Sequence, residues 1–213
     1  MGSPEGSAPA ASWVTLFLAA GQARRFGADK LLAPLPGGEA VAIAAARNLL
    51  QGLEGRAPPL AVLRPEQTEL GWQLSALGFE LLPTSAARKG LGCSIAAGVA
   101  ATAQRTGWLL VLADMPAIQP TTVATLARQM DAGASAVAPF HEGRRGHPVG
   151  FGATWGPALR RLQGDRGARD VLGAAGTGLI RLDTDDAGVL QDIDTPTDLT
   201  SLASGDLGTA PGA

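Results

Sequence analysis

Residues 13–30 read WVTLFLAAGQARRFGADK. The first seven, 13–19, are a short apolar run rich in strand formers, and a Gly-rich, basic segment, 20–30, follows at once. Gly21 and Gly27 permit tight turns and close backbone approach. Amides exposed in such a loop can cradle phosphates, and Arg24, Arg25 and Lys30 place three cations within seven residues. No Gly-Lys-Ser/Thr closes the loop, so it is not a Walker loop. Its two glycines stand six apart, so it is not the G-x-G-x-x-G of dinucleotide binding either. A strand that runs into a phosphate-cradling loop predicts an α/β sheet with its ligand beyond the strand's carboxyl end.

The rest of the chain carries the alternation such a sheet needs. Further strands are predicted at 60–63, 79–82, 108–113, 134–138, 148–151, 179–182 and 189–193. Helices are predicted over 40–51, 66–77 and 94–104, from Pro120 onward, near 155–162 and 168–175, and over 196–202. Leu70, Leu74 and Leu77 follow helical spacing, and Pro120 suits a first-turn position. The run 108–113, WLLVLA, suits a strand buried on both faces. Together these predict one Rossmann-like α/β domain over residues 13–203, its open, mixed but largely parallel sheet covered by helices on both faces. Residues 1–12 and 204–213 are small, polar and Pro- or Gly-containing, and read as flexible tails.

Composition narrows the function. Seventeen Lys+Arg against nineteen Asp+Glu leave a net charge of −2, which does not suit a protein that coats nucleic acid or an anionic membrane. A single cysteine, Cys93, excludes an internal disulfide framework and a cysteine-clustered zinc site. The only histidines are His141 and His147. No apolar run approaches the ~20 residues that span a bilayer, and a soluble, cytoplasmic protein is expected.

Carboxylates mark a second part of the site. In 111–116, VLADMP, Asp114 follows a buried strand directly, so it faces the ligand edge of the sheet. It is placed to hold Mg²⁺, a hard cation that prefers oxygen ligands and polyphosphate. Residues 191–199 read QDIDTPTDL, in which Asp194 and Thr195 also stand where helix caps stand ahead of Pro196. Asp183, Asp185 and Asp186 read as a solvated acidic turn with no role assigned, and whether Asp192 acts with Asp194 depends on whether 192–194 runs as a regular strand or bends. In 90–98, GLGCSIAAG, Ser94 is placed to cap a helix whose first amides suit an anion. Cys93 has no general base near it in sequence and reads as a small packed thiol.

In their order these motifs resemble nucleotidyltransferases of the molybdenum cofactor cytidylyltransferase type. Leu18, Ala19, Ala20, Gly21, Arg25, Gly27 and Lys30 are similar to that family's L-A-A-G-x-S-x-R-M-G-x-x-K, with Phe26 in place of Met and Ala23 in place of Ser. Ala23 cannot donate a hydroxyl. The stretches L-A-D-M-P, D-I-D-T-P-x-D-L, G-[ML]-x-x-S-[LI]-x-x-G, R-G-H-P (residues 145–148) and G-D-x-G-A-R (164–169) have counterparts in the same order. The resemblance covers about 16–202 and implies a glycosyltransferase-A-like nucleotidyltransferase fold. It implies Mg²⁺-dependent transfer from CTP to the terminal phosphate of molybdopterin, with pyrophosphate released. It further implies Arg25, Lys30 and Asp114 in catalysis, and Asp114 and Asp194 on the metal. Leu18, Ala19, Ala20, Gly21, Arg25, Gly27, Lys30, Gly92 and Ser94 would meet the nucleotide, and Arg145 and His147 the acceptor. A molybdenum hydroxylase or its accessory protein is the implied partner. Two other functions fit the same motifs: transfer from GTP or to a sugar-phosphate, and cofactor delivery without catalysis.

Overall fold

The computed structural model describes residues 13–20 and 30–204, with side chains as far as residue 200. The tail expected at 1–12, nearly all of that expected at 204–213, and Gly21, Ala23, Arg24, Arg25, Phe26 and Gly27 lie outside the described residues.

Strand β1 (Trp13–Leu18) is buried along its whole length, as its apolar run requires. On one side β2 (Leu60–Leu63) and β3 (Glu80–Pro83) extend the sheet in parallel. On the other, β4 (Gly107–Leu112) pairs with β1 in parallel over six residues. Beyond β4 the sheet turns antiparallel through β7 (Val149–Gly152) to β5 (Ala136–His141). β5 also carries the parallel β8 (Leu179–Asp183) and the two-residue antiparallel β6 (Arg144–Arg145). The eight strands make one mixed sheet. Its order reverses between β1 and β4, and open α/β sheets bind ligands at the carboxyl ends beside such a reversal.

Alternate side chains of the central strands face opposite layers. Phe17, Leu109 and Val111 pack with α1 (Val41–Leu53), α2 (Thr68–Ala76) and α4 (Pro120–Asp131). Leu16, Leu18 and Leu110 pack with α3 (Leu91–Ala101), α5 (Gly156–Leu159) and α6 (Arg169–Gly173). Each fully buried side chain of this kind contributes about 1.5–3 kcal/mol. Helices α1 and α4 meet at Gly52, where a Cβ would run into the Val123 side chain. Pro120 occupies the first turn of α4, as expected. The last helix, α7, spans Pro196–Ser204.

Three expectations are corrected. Residues 189–193 form no strand. A 3₁₀ turn, Ala187–Leu190, leads into unpaired extended chain, because its backbone groups bond singly to neighbouring loops: the Val189 carbonyl accepts from the His147 amide, and the Ile193 amide donates to the Asp114 carbonyl, both at 2.9 Å. Helix α3 starts at Leu91 rather than Ser94, so Ser94 is not its cap. Gly90 takes that position with φ +117°, a conformation open to glycine. Asp186 is not part of a solvated turn. It is buried, and its carboxylate accepts from the Gln119 and Gly188 amides and the Thr122 hydroxyl. It thereby caps α4, whose own N-cap residue, Gln119, makes no side-chain cap.

Candidate active site

The carboxyl ends of β1 and β4 lie side by side, held by the Ala113 amide donating to the Leu18 carbonyl. The chain leaving β1, Ala19 and Ala20, is buried. Its carbonyls are taken up by the next strand's loop: the Gln67 side-chain amide donates to Ala19 at 3.0 Å and the Arg64 guanidinium to Ala20 at 3.3 Å. Gln67 in turn accepts from the Arg64 amide. Arg64 and Gln67 were not singled out from the sequence. The available signal was the polar run R-P-E-Q directly after a buried strand, at the same edge of the sheet.

Lys30 returns the chain to this edge. Its ammonium is buried, with a side chain 6% exposed, and lies 2.8 Å from Asp114 Oδ2 and 2.8 Å from Asp194 Oδ1. Asp114 and Asp194 are 80 residues apart in sequence and converge because the Ile193 amide bonds the Asp114 carbonyl. Asp194 is held from its other side as well. The Asp198 carboxylate accepts from the Asp194 and Thr195 amides at 2.9 and 2.7 Å, which fastens the start of α7. This is half of a capping box, with the acid three residues into the helix bonding back to the cap residue. Those amides hold the Asp198 carboxyl below its ordinary value, although its partial burial acts the other way.

Burial lowers the Lys30 pKa, but the charge and hydrogen bond of Asp114, and then those of Asp194, more than offset it and leave the ammonium above the ordinary lysine value. Asp192 stands close enough to be affected in turn. Desolvation raises its carboxyl, and the charges of Asp194 and Asp114 raise it further. Among the described residues no three His, Cys, Asp or Glu side chains are grouped to hold a metal. Two carboxylates that already converge on one cation nonetheless fit Mg²⁺, which takes one or two protein carboxylates and completes its shell with water and phosphate.

Beside this cluster, between the sheet and helices α3 and α6, lies a cavity of about 80 Å³ open to solvent. Its walls include Leu18, Leu110, Leu112, Val149 and Ile95, and its polar side chains are Arg145, His147 and Arg169. His147 follows the β5–β6 hairpin and is joined to Pro148 by a cis peptide. Its Nδ1 is buried without a hydrogen-bond partner among the described residues. Burial, followed by the charge of Arg145, drives its pKa down to about 4 against a small opposing pull from Asp114, so the ring is neutral at pH 7. Arg145 and His147, expected on the acceptor, thus share one cavity.

Gly92 and Ser94, expected on the nucleotide, are engaged within the protein. The Gly92 amide donates to the Gly164 carbonyl at 2.9 Å, and the buried Ser94 hydroxyl donates to the Gly90 carbonyl at 3.1 Å. Glycine at 92 lets the loop 163–166 lie against the start of α3, since a Cβ there would meet the Arg166 carbonyl.

Residues 15–179 match the MobA-like NTP transferase domain. The chain belongs to the MobA-like NTP transferase family. It is therefore a nucleotidyltransferase enzyme, and a nucleoside triphosphate is its substrate class. Among curated relatives, the purine catabolism protein PucB of Bacillus subtilis (strain 168) is 33% identical over 197 residues, covering 86% of this chain and 92% of PucB. Rv0371c of Mycobacterium tuberculosis H37Rv has the same fold, with a TM-score of 0.78 at 23% identity, over 92% of this MobA-like chain and 100% of that one. A second structure of Rv0371c is a complex with manganese, with a TM-score of 0.74 at 23% identity over 90% and 98%. The molybdopterin-guanine dinucleotide biosynthesis protein A of Archaeoglobus fulgidus gives a TM-score of 0.59 at 18% identity, over 91% and 99%. Membership of this MobA-like family sets aside cofactor delivery without catalysis. Among the described residues no helix is long and apolar enough to cross a membrane.

Proposed function

We propose that this nucleotidyltransferase transfers the cytidylyl group of CTP to the terminal phosphate of a molybdopterin-type cofactor, with Mg²⁺ as its metal. An acceptor phosphate oxygen forms a bond to the α-phosphorus of CTP as the bond to the bridging oxygen breaks, and pyrophosphate leaves with the electron pair. The observation that carries this reading is the meeting of Lys30, Asp114 and Asp194 at the reversal of strand order, beside a cavity that holds Arg145 and His147.

Phosphoryl-type transfer needs positioning and charge neutralisation rather than a protein nucleophile. Mg²⁺ held by Asp114 and Asp194 supplies neutralising charge to both phosphate groups when bound. The backbone of Leu18, Ala19 and Ala20, with Gly21 and Gly27, holds the nucleotide, and Arg64 and Gln67 keep that backbone in place. Lys30 and Arg25 meet the triphosphate and follow its charge onto the leaving pyrophosphate. Arg145 and neutral His147 orient the acceptor in an apolar cavity that excludes water. PucB's part in purine catabolism is consistent with a product destined for a molybdenum hydroxylase.

The choice of CTP rests on Ala20, whose methyl leaves less room for a purine than the glycine of L-A-G-G sequences would. The test is competition between CTP and GTP with one acceptor, read as pyrophosphate release and compared as kcat/KM. We expect CTP to win by at least about tenfold, or ~1.4 kcal/mol, and Ala20→Gly to relax the preference. A preference for GTP overturns the base assignment, and no release with any NTP overturns the reaction.

A further inference from the structure

We propose that Arg145 and Arg169 together form an anion site inside the apolar cavity, and that it holds a phosphate of the acceptor rather than the triphosphate of the nucleotide. The naming of the acceptor as occupant rests on the reaction proposed above, whereas the anion site itself rests on two arginines that line one cavity with no carboxylate partner among the described residues.

Arg145 reaches the cavity half-buried from strand β6, and Arg169 reaches its rim from the start of α6. They come from segments 24 residues apart, and the fold brings them to one space otherwise walled by side chains such as Leu112, Ile95 and Leu172. Neither makes a hydrogen bond or ion pair with a carboxylate among the described residues, whereas several other arginines do. Arg56 pairs with Asp131, Arg88 with Glu66 and Arg181 with Asp183. The two cations are close enough to act on each other: burial, and then the charge of Arg169, pushes Arg145 down from the ordinary arginine value.

Two like charges at an apolar wall are unfavourable unless something negative joins them. Arginine cannot relieve the repulsion by losing its proton in this pH range, as lysine or histidine can. An anion between the half-buried Arg145 and the exposed Arg169 relieves that repulsion and pairs with both guanidiniums. Their planar forks match the oxygens of a phosphate, each offering two parallel N–H donors. The remaining polar side chain of the cavity, His147, is neutral at pH 7 and adds no competing charge. The apolar walls suit an organic body attached to that phosphate.

Charge separation favours the acceptor as the source. Lys30 already stands at the carboxyl ends of β1 and β4, where the proposed reaction seats the triphosphate. In-line transfer brings a second phosphate towards the same phosphorus from the opposite side to the leaving group. That phosphate is itself anionic and needs a cation set of its own, which the Arg145–Arg169 pair supplies.

The test is calorimetric titration of the full chain, saturated with CTP, with inorganic phosphate as the probe. Wild type, Arg145→Gln, Arg169→Gln and Arg169→Lys are compared, and CTP affinity is measured separately for each. We expect wild type to bind phosphate, both glutamine variants to lose at least about tenfold in phosphate affinity, and Arg169→Lys to recover part of the loss. CTP affinity should stay within about twofold throughout. Arg169 is exposed, so its replacement leaves the core intact, and equal thermal unfolding of the variant checks this. The proposal is overturned if wild type binds no phosphate, if both glutamine variants bind it as wild type does, or if CTP affinity falls in parallel, which would assign the pair to the nucleotide. The titration uses neither turnover nor a pterin. Phosphate binding that depends on both arginines, alongside an absence of pyrophosphate release from CTP, would refute the cytidylyl reaction and leave the anion site standing.

Discussion

Replacing Lys30 with methionine keeps an unbranched side chain one atom shorter and removes the charge that Asp114 and Asp194 share. At 2.8 Å each ion pair is worth roughly 6 kcal/mol of gross Coulomb attraction at an effective dielectric constant of about 20. Taking the ammonium out of water costs several kcal/mol, which offsets most of that. Asp194 is 55% exposed and Asp114 21%, so solvent screens what remains. The variant also leaves two carboxylate oxygens no more than twice 2.8 Å apart with no cation between them. A net loss of about 2 kcal/mol follows, or ~4–8 °C in Tm for a chain of this size. The Lys30 pKa is raised, so its contribution is fully present below the ordinary lysine value of 10.5 and is lost as pH climbs through the higher folded-state value. The gap between wild type and Lys30→Met should therefore hold from neutral pH to about 10 and close above it. The assay is thermal unfolding with and without Mg²⁺. A divalent cation that binds only the folded state stabilises it by mass action, and it replaces the missing charge in the variant. Mg²⁺ should thus raise the Tm of Lys30→Met more than that of wild type. A variant that melts with wild type, or one indifferent to Mg²⁺, refutes the account of these three residues as one charge cluster.

Further outcomes are expected elsewhere in the molecule. Asp114→Asn should lower kcat by about 10²-fold or more, because it removes charge where the transition state gathers it, and should also lower the Tm, because it leaves the buried Lys30 ammonium a single carboxylate partner; near-wild-type turnover at limiting Mg²⁺ would remove Asp114 from the metal site. Asp186→Ala strands the buried Thr122 hydroxyl and the Gln119 and Gly188 amides. It should cost about 2–4 kcal/mol in urea unfolding, and a loss under 0.5 kcal/mol would mean that these bonds do not hold the α4 cap. The His147 pKa is depressed to about 4 in the folded chain, so the stability it withholds from the unfolded state is present above ~6.5 and lost as pH falls towards 4. Unfolding near pH 5 should therefore take up close to one proton in wild type and fewer in His147→Gln, as read from the slope of unfolding free energy against pH.

Much of the site was legible because its residues sit at the ends of strongly patterned strands. WVTLFL and WLLVL could be read as central strands from apolar continuity alone, so the residues directly after them, Ala19, Ala20 and Asp114, had to lie at the carboxyl edge of the sheet. Asp194 was legible only through its likeness to a known closing motif. Its own local pattern predicted a strand, and the chain there is instead held in single bonds to Asp114 and His147. Ser94 was misplaced as a cap for a similar reason. Serine before an apolar stretch is a good start signal, but the glycine four residues earlier could adopt a positive φ, and the helix began there. Asp186 was unreadable, since three acids within four residues look solvated until the partners of one are known.

Periodicity, the run of apolar residues and the order of motifs by themselves determined the α/β class and the central strands, because those features depend on neighbours within a few positions. Tertiary structure alone decided that Lys30 bridges Asp114 and Asp194, that Arg64 and Gln67 brace the first loop, and that Arg145 and Arg169 face one cavity. Each of those contacts joins residues 24 to 164 positions apart. No local pattern encodes such a pairing. It comes into being when strand order brings the carboxyl ends of β1 and β4 together and the long connections pack back against them.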